Sequence, residues 1–133
     1  DGGLVAENLL HGNRRTSDYR VVPSVVFTVP PLAVVGLSEQ KAREQGLHFR
    51  THHEVTSAWY SSRRLAEQYS GFKILVEDES HRILGAHLFG PHAEEVINIF
   101  ALAIQYGLTA TDLSSLKYAY PTHASDISYM IGQ

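Results

Sequence analysis

Twenty residues near the middle limit the folds open to this chain more than any others. Two apolar runs, 71–76 (Gly71-Phe72-Lys73-Ile74-Leu75-Val76) and 83–90 (Ile83-Leu84-Gly85-Ala86-His87-Leu88-Phe89-Gly90), flank the polar Asp78-Glu79-Ser80-His81. Apolar, β-prone runs on either side of a short polar turn make a β-hairpin. The next segment changes period. Ala93, Val96, Ile97, Phe100, Ala103 and Ile104 recur at i, i+3, i+4 and i+7, which predicts a helix over residues 92–106 with that face on a core. Ile99, Leu102 and Tyr106 form a second apolar stripe well round the cylinder. A helix apolar on more than one side packs on more than one side, and the second surface suits another subunit.

The remaining segments fill in around this pair. Leu4, Val5, Ala6, Leu9 and Leu10 form a short helical stripe closed by His11-Gly12-Asn13, and residues 14–20 read as a polar linker. Val25-Val26-Phe27-Thr28-Val29 is a strand pattern. Pro30-Pro31 interrupts it, because neither can donate to a ladder, and Val34-Val35-Gly36 resumes it. Ser38 caps a helix over 39–45, with Leu37 and Ala42 placed as a hydrophobic staple, and Gly46 supplies the stop. Residues 47–56 are extended, with Trp59 and Tyr60 continuing them. Thr111-Asp112 opens a short helix through Leu116, and Tyr120-Pro121-Thr122 leads into a last helical stretch ending near Met130. Without strict βαβ alternation the class is α+β: an antiparallel β-sheet with helices packed on one face.

Composition excludes several functions. A formal net charge of −3 argues against a nucleic-acid surface, which needs clustered Lys and Arg. Nothing approaches the run of about 18 apolar residues needed to span a membrane. With no cysteine, these residues hold no thiol nucleophile, disulfide or CxxC, which fits a cytoplasmic setting. No secretory leader is visible. The start lacks Met and opens inside a helix pattern, as expected of a piece of a larger chain.

The motifs resemble a known family. Residues 23–39 (Pro23-Ser24-Val25-Val26-Phe27-Thr28-Val29-Pro30-Pro31-Leu32-Ala33-Val34-Val35-Gly36-Leu37-Ser38-Glu39) resemble the opening of the dimerisation domain in glutathione reductase, dihydrolipoamide dehydrogenase and mercuric reductase. The hairpin is similar to that family's "GFxKxxxD…ILGxHxxG" stretch. Ala93-Glu94-Glu95-Val96-Ile97 resembles its interface helix, and Tyr120-Pro121-Thr122 aligns with its terminal "HPT". Asp1-Gly2-Gly3-Leu4-Val5-Ala6-Glu7-Asn8 is similar to the last helix of its FAD-binding portion. The resemblance implies that residues 1–15 are the tail of that portion plus a linker, and that 16–133 are the C-terminal dimerisation domain. It implies a full-length homodimeric parent that binds FAD and NAD(P)H in two dinucleotide-binding folds; no GxGxxG occurs in these 133 residues. The parent would oxidise NAD(P)H through FAD, and the isolated piece would be inactive. Each C-terminus would reach the partner's flavin, with the backbone of Tyr120 and Pro121 at the pyrimidine end of the ring. Cis bonds are expected at Val29-Pro30 and Tyr120-Pro121. Competing readings are a stand-alone, non-catalytic dimerisation module and an unrelated small α+β binding domain.

One departure bears on chemistry. The family carries His before that proline and Glu five positions after the His; here these are Tyr120 and Ser125. The imidazole holds and moves a proton while the carboxylate orients it. A phenol, with a pKa near 10, donates readily at neutral pH but accepts poorly, and bringing it to neutrality needs about 4 kcal/mol. The expectation is an altered relay, with Tyr120 donating a hydrogen bond to a quinone, an oxygen-derived or another acceptor, or stacking on it. A weaker alternative places the relay on His123 and Asp126, at i and i+3 on one helix face, with the helix start lowering the histidine pKa. The bland reading leaves His123 in solvent and Asp126 merely favouring the helix start.

Other candidates weigh less. His48 and His52 on one strand face are about 13 Å apart, too far for one ion held at about 2 Å from each nitrogen, and His52 and His53 point to opposite faces; no metal site is expected. Trp59, Tyr60, Arg63 and Arg64 read as a half-buried aromatic with solvated charges, or less often as a surface for an anionic substrate. Tyr69, Tyr106 and Tyr118 read as packing residues, and Gly85 and Gly90 as serving backbone geometry.

Overall fold

The hairpin lies within a sheet rather than at its edge. In the computed structural model, which describes residues 2–132, five strands form: β1 (Ser24–Val26), β2 (Leu32–Gly36), β3 (Phe49–Val55), β4 (Gly71–Glu77) and β5 (Ile83–Phe89). The order is β1-β2-β5-β4-β3 and every pairing is antiparallel. Six α-helices accompany them: α1 (Gly2–His11), α2 (Glu39–Glu44), α3 (Tyr60–Arg64), α4 (Ala93–Tyr106), α5 (Ala110–Ser115) and α6 (Ile127–Met130). A 3₁₀ turn over His123–Asp126 precedes α6.

Two expectations need correction. Val34-Val35-Gly36 does not resume the strand begun at Val25. The chain reverses at the prolines, so β1 and β2 pair with each other, Ser24 opposite Val34 and Val26 opposite Leu32. The reversal is held by Thr28, whose N–H bonds Val26 O at 2.9 Å and whose hydroxyl donates to Pro30 O at 2.6 Å. Both Val29-Pro30 and Tyr120-Pro121 are cis. Trp59 and Tyr60 do not extend β3 either. The ladder ends where Val55 meets Gly71, the first residue of β4. With no partner strand beyond, the chain turns through Trp59 N–H to Thr56 O into α3.

One sheet face carries the core. Ala33 and Val35, Ala86 and Leu88, and Phe72, Ile74 and Val76 alternate inward and meet Val96, Ile97, Phe100 and Ala103 of α4. Phe100, Ile97 and Ile74 are essentially inaccessible, each contributing about 1.5–3 kcal/mol by burial. Ile104, expected on that face, is partly buried against it. α4 ends at Gly107 in the left-handed conformation (φ 65°), where a Cβ is disfavoured. α5 is N-capped by Thr109, whose side chain and that of Asp112 cap each other's backbone N–H.

The fold is the expected α+β arrangement of an antiparallel sheet with helices, and the sheet face away from α4 carries a short helix of its own. α2, capped by Ser38, lies on it: Lys73 pairs with Glu39 at 2.9 Å, and Leu75 and Ala42 are fully buried. The backbone of Leu37 passes so close to Gly85 that a Cβ there would sit 2.1 Å from Leu37 O. Further along this face Val26, Leu32, Phe89 and Val55 are exposed. Register puts Val26 opposite Leu32, Leu32 opposite Phe89, and Phe89 and Val55 both opposite Gly71, so they form one row across the sheet. α1 buries none of its residues; Asn8 clasps the linker after it through Arg14 N, Arg15 N and Arg15 O.

Candidate functional site

The end of β3, helix α3 and the C-terminal segment converge on a cleft of about 510 Å³. Trp59 forms a wall, its indole N–H donating to Glu54 Oε1 at 3.2 Å and its ring tilted 5.6 Å from Phe72 and edge-on 6.0 Å from Tyr129. Tyr60, Arg64, Tyr120 and Asp126 complete the surround. Of the four residues weighed as a cluster from sequence, Trp59, Tyr60 and Arg64 line this cleft and Arg63 does not. Glu54, Ser61 and Tyr129 also line it, and nothing in their sequence spacing marks them.

Tyr120 stands at the cleft, 75% exposed. Neither its hydroxyl nor its main chain makes a hydrogen bond with any described residue, so its N–H, C=O and phenol are all uncommitted. The next residues explain why this tyrosine is held out. Thr122 caps the 3₁₀ turn by accepting from Ser125 N, and Ser125 Oγ accepts from Thr122 N at 3.3 Å. Ser125 is buried and spent on this reciprocal cap. No carboxylate stands at that position to orient residue 120.

His123 and Asp126 do not hydrogen-bond to one another. Asp126 Oδ2 accepts a short hydrogen bond from Ser61 Oγ of α3. Burial pushes its carboxyl above the usual range, and the Ser61 bond opposes that. The His123 ring lies 4.7 Å from the ring of His92, tilted by 51°, and its Nε2 is buried without a hydrogen bond. The His123 pKa is lowered, as expected, but the causes are burial first and then the neighbouring His92 and Arg64, with Glu94 opposing. His123 is therefore half-buried rather than a solvent-facing side chain.

The remaining candidates separate. Leu102 and Tyr106 are exposed at 55% and 72%, whereas Ile99 is partly buried against the core. Tyr118 packs, donating to Leu113 O at 3.0 Å; Tyr69, expected to pack, is exposed, since it follows α3 in a loop with no apolar layer over it. His52 Nδ1 bonds Met130 O at 2.8 Å, tying the last helix to β3. Among the described residues no group of three His, Asp or Glu is placed to hold a metal ion, and no helix is long and apolar enough to cross a membrane.

The family described as pyridine nucleotide-disulphide oxidoreductase, dimerisation domain, matches residues 22–131. The chain belongs to this family. It is 42% identical over 131 residues to an uncharacterized 19.7 kDa protein in a mercuric resistance operon of Staphylococcus aureus, covering 98% of this chain and 73% of that protein. It is 35% identical over 122 residues to the mitochondrial dihydrolipoyl dehydrogenase of Sus scrofa, covering 92% of this chain but 24% of the enzyme. Among solved structures it superposes with a TM-score of 0.88 and 29% identity on the HOCl-induced flavoprotein disulfide reductase RclA of Escherichia coli, determined as a Cu(II) complex. That match covers 97% of this chain and 30% of the reductase. The domain thus spans about a quarter to a third of these two enzymes.

Proposed function

We propose that this chain is the homodimerisation domain of an FAD-dependent NAD(P)H oxidoreductase and completes the flavin site of its partner subunit. The observation that carries the reading is Tyr120, exposed at an aromatic cleft with its hydroxyl, N–H and C=O uncommitted. An unpaired main-chain donor and acceptor side by side fit the hydrogen-bonding edge of the pyrimidine end of a flavin ring, and Tyr120 and Pro121 would hold that edge. FAD would supply the capacity to accept hydride from NAD(P)H and pass electrons onward. This chain's own residues position the ring, shelter the acceptor with Trp59, Tyr60 and Tyr129, and offer a phenolic proton.

The electron acceptor would not be served by the usual imidazole–carboxylate pair, because Tyr120 and Ser125 occupy those positions and Ser125 is engaged in a cap. Residues 1–15 would be the tail of the flavin-binding portion and its linker. The uncovered row of Val26, Leu32, Phe89 and Val55 supports contact with another domain, since apolar patches of this kind mark interaction surfaces. Replacing Tyr120 with Phe in the full-length dimer tests the reading. Turnover should fall by roughly 100–10,000-fold with dimer and flavin intact, the usual scale for loss of a positioned proton donor. Unchanged turnover would remove the phenol from the mechanism.

A second reading has its own support. The Staphylococcus aureus relative is a 19.7 kDa protein, and this chain covers 73% of it, so a short protein built mostly of this domain exists. Such a protein would self-associate without a flavin of its own. An upstream GxGxxG in the open reading frame decides between the two.

A further inference from the structure

Asp126 borders two spaces. Besides the Tyr120 cleft, it lines a cavity of about 30 Å³ together with Ser62, Ser70 and His123. That volume accommodates one water molecule, which needs about 10–15 Å³ of such space and two to four polar partners. Partners are at hand. Ser70 Oγ accepts from Thr56 Oγ1 at 2.9 Å and shares one hydrogen with Ser62 Oγ at 2.9 Å. Two serine hydroxyls with one hydrogen bond between them leave a hydroxyl hydrogen without an acceptor. His123 Nε2 is buried with no hydrogen bond, and Asp126 uses only Oδ2, toward Ser61. A buried ring nitrogen such as His123 Nε2 is costly to leave unpaired, which favours an occupant that can donate to it.

We propose that one buried water in this cavity joins His123 Nε2 to Asp126, making them a single proton-holding pair that reaches the Tyr120 cleft through the carboxyl group. The pair carries one proton. When Asp126 holds it, His123 is neutral and accepts from the water; when the proton moves through the water, the carboxylate faces an imidazolium. Ser61 positions the carboxyl, and the Ser62–Ser70 hydroxyls anchor the water. His123 is also faced by His92 and Glu94 of α4 and by Arg64 of α3, so its titration reports their charges as well. Glu94 acts on His123 by charge, whereas Asp126 acts through the bridge. The proposal deepens the reading above by supplying a proton store behind Tyr120, yet the pair is a property of this chain and its test needs neither flavin nor acceptor.

The experiment is an NMR titration of the His123 ring and the Asp126 carboxyl in the 133-residue chain, wild type beside Asp126→Asn, with water-to-His123 cross-relaxation measured on the wild type. A bridged pair shows an inflection at the carboxyl titration in the His123 ring signal, and in Asp126→Asn that inflection disappears while the His123 midpoint falls by at least half a pH unit, threefold in affinity. Cross-relaxation identifies a long-lived water at Nε2. If the variant does not fold, the wild-type inflection and the water signal decide alone. A His123 curve with a single transition unaffected by Asp126, or no bound water, overturns the pairing. A positive result here alongside unchanged turnover of Tyr120→Phe would leave the pair standing and remove only the phenol from the mechanism, whereas a full-length protein without flavin would remove the redox reading and leave the pair untouched.

Discussion

If α4 presents its outer stripe to a second copy of the chain, truncating Leu102 and Tyr106 must dissolve the dimer without softening the fold. Burying a side chain of this size completely is worth about 1.5–3 kcal/mol. Leu102 still exposes 55% of its surface and Tyr106 72%, so about 1 and about 1.5 kcal/mol remain to be gained on association. A two-fold interface uses each residue twice, giving about 5 kcal/mol for Leu102→Ala with Tyr106→Ala. At about 1.4 kcal/mol per tenfold the dissociation constant rises by roughly three to four orders of magnitude. Sedimentation equilibrium across a concentration series measures it, and the melting temperature under monomeric conditions should barely move, because both side chains already touch water there. The reasoning fails if the double variant dissociates at the same concentration as the wild type. It fails equally if the wild type is monomeric even at millimolar concentration while the full-length protein is dimeric.

Gly85→Ala should destabilise the domain by about 3 kcal/mol, the upper range for overpacking, because the added methyl meets Leu37 backbone at 2.1 Å; chemical denaturation measures it, and a loss within error would show that α2 moves freely. Ser125→Ala should cost about 1 kcal/mol through loss of half the reciprocal cap and lower the melting temperature by a few degrees, with no such change meaning that the 3₁₀ turn is held elsewhere. The raised pKa of Asp126 means that its contribution to stability is fully present below the unfolded value of 3.8 and is lost as pH rises through the higher folded value. Asp126→Asn, which still accepts from Ser61, should therefore be more stable than wild type near neutrality, with the gap closing in acid; a less stable variant at pH 7 contradicts the burial cause.

The parts of the fold legible in the sequence are those fixed by local periodicity. The central hairpin and α4 follow from apolar spacing, and the Ser38 cap and the stop at Gly46 from single residues. The reversal between β1 and β2 is not legible, because Val34-Val35-Gly36 has the same strand pattern whether it continues β1 or folds back on it; the pairing of β2 with β5 is what distinguishes the two. α3 is hidden for a like reason, since β3 stops where its partner strand begins rather than at any marked residue. Tyr120 is marked by its place in a motif. Its surroundings are not, because Ser61 and Asp126 lie 65 positions apart and meet only once the last helix docks on β3 through His52.

The division of labour on α4 makes its length unforgiving. With 3.6 residues per turn, one residue inserted between Ala93 and Phe100 turns everything after it by about 100°. Phe100 would swing out toward solvent and a polar or outer-stripe side chain would take its place, so folding and assembly would be lost in the same step. Substitution can retune either surface separately; insertion or deletion cannot, and this segment should therefore drift in composition while its residue count stays fixed.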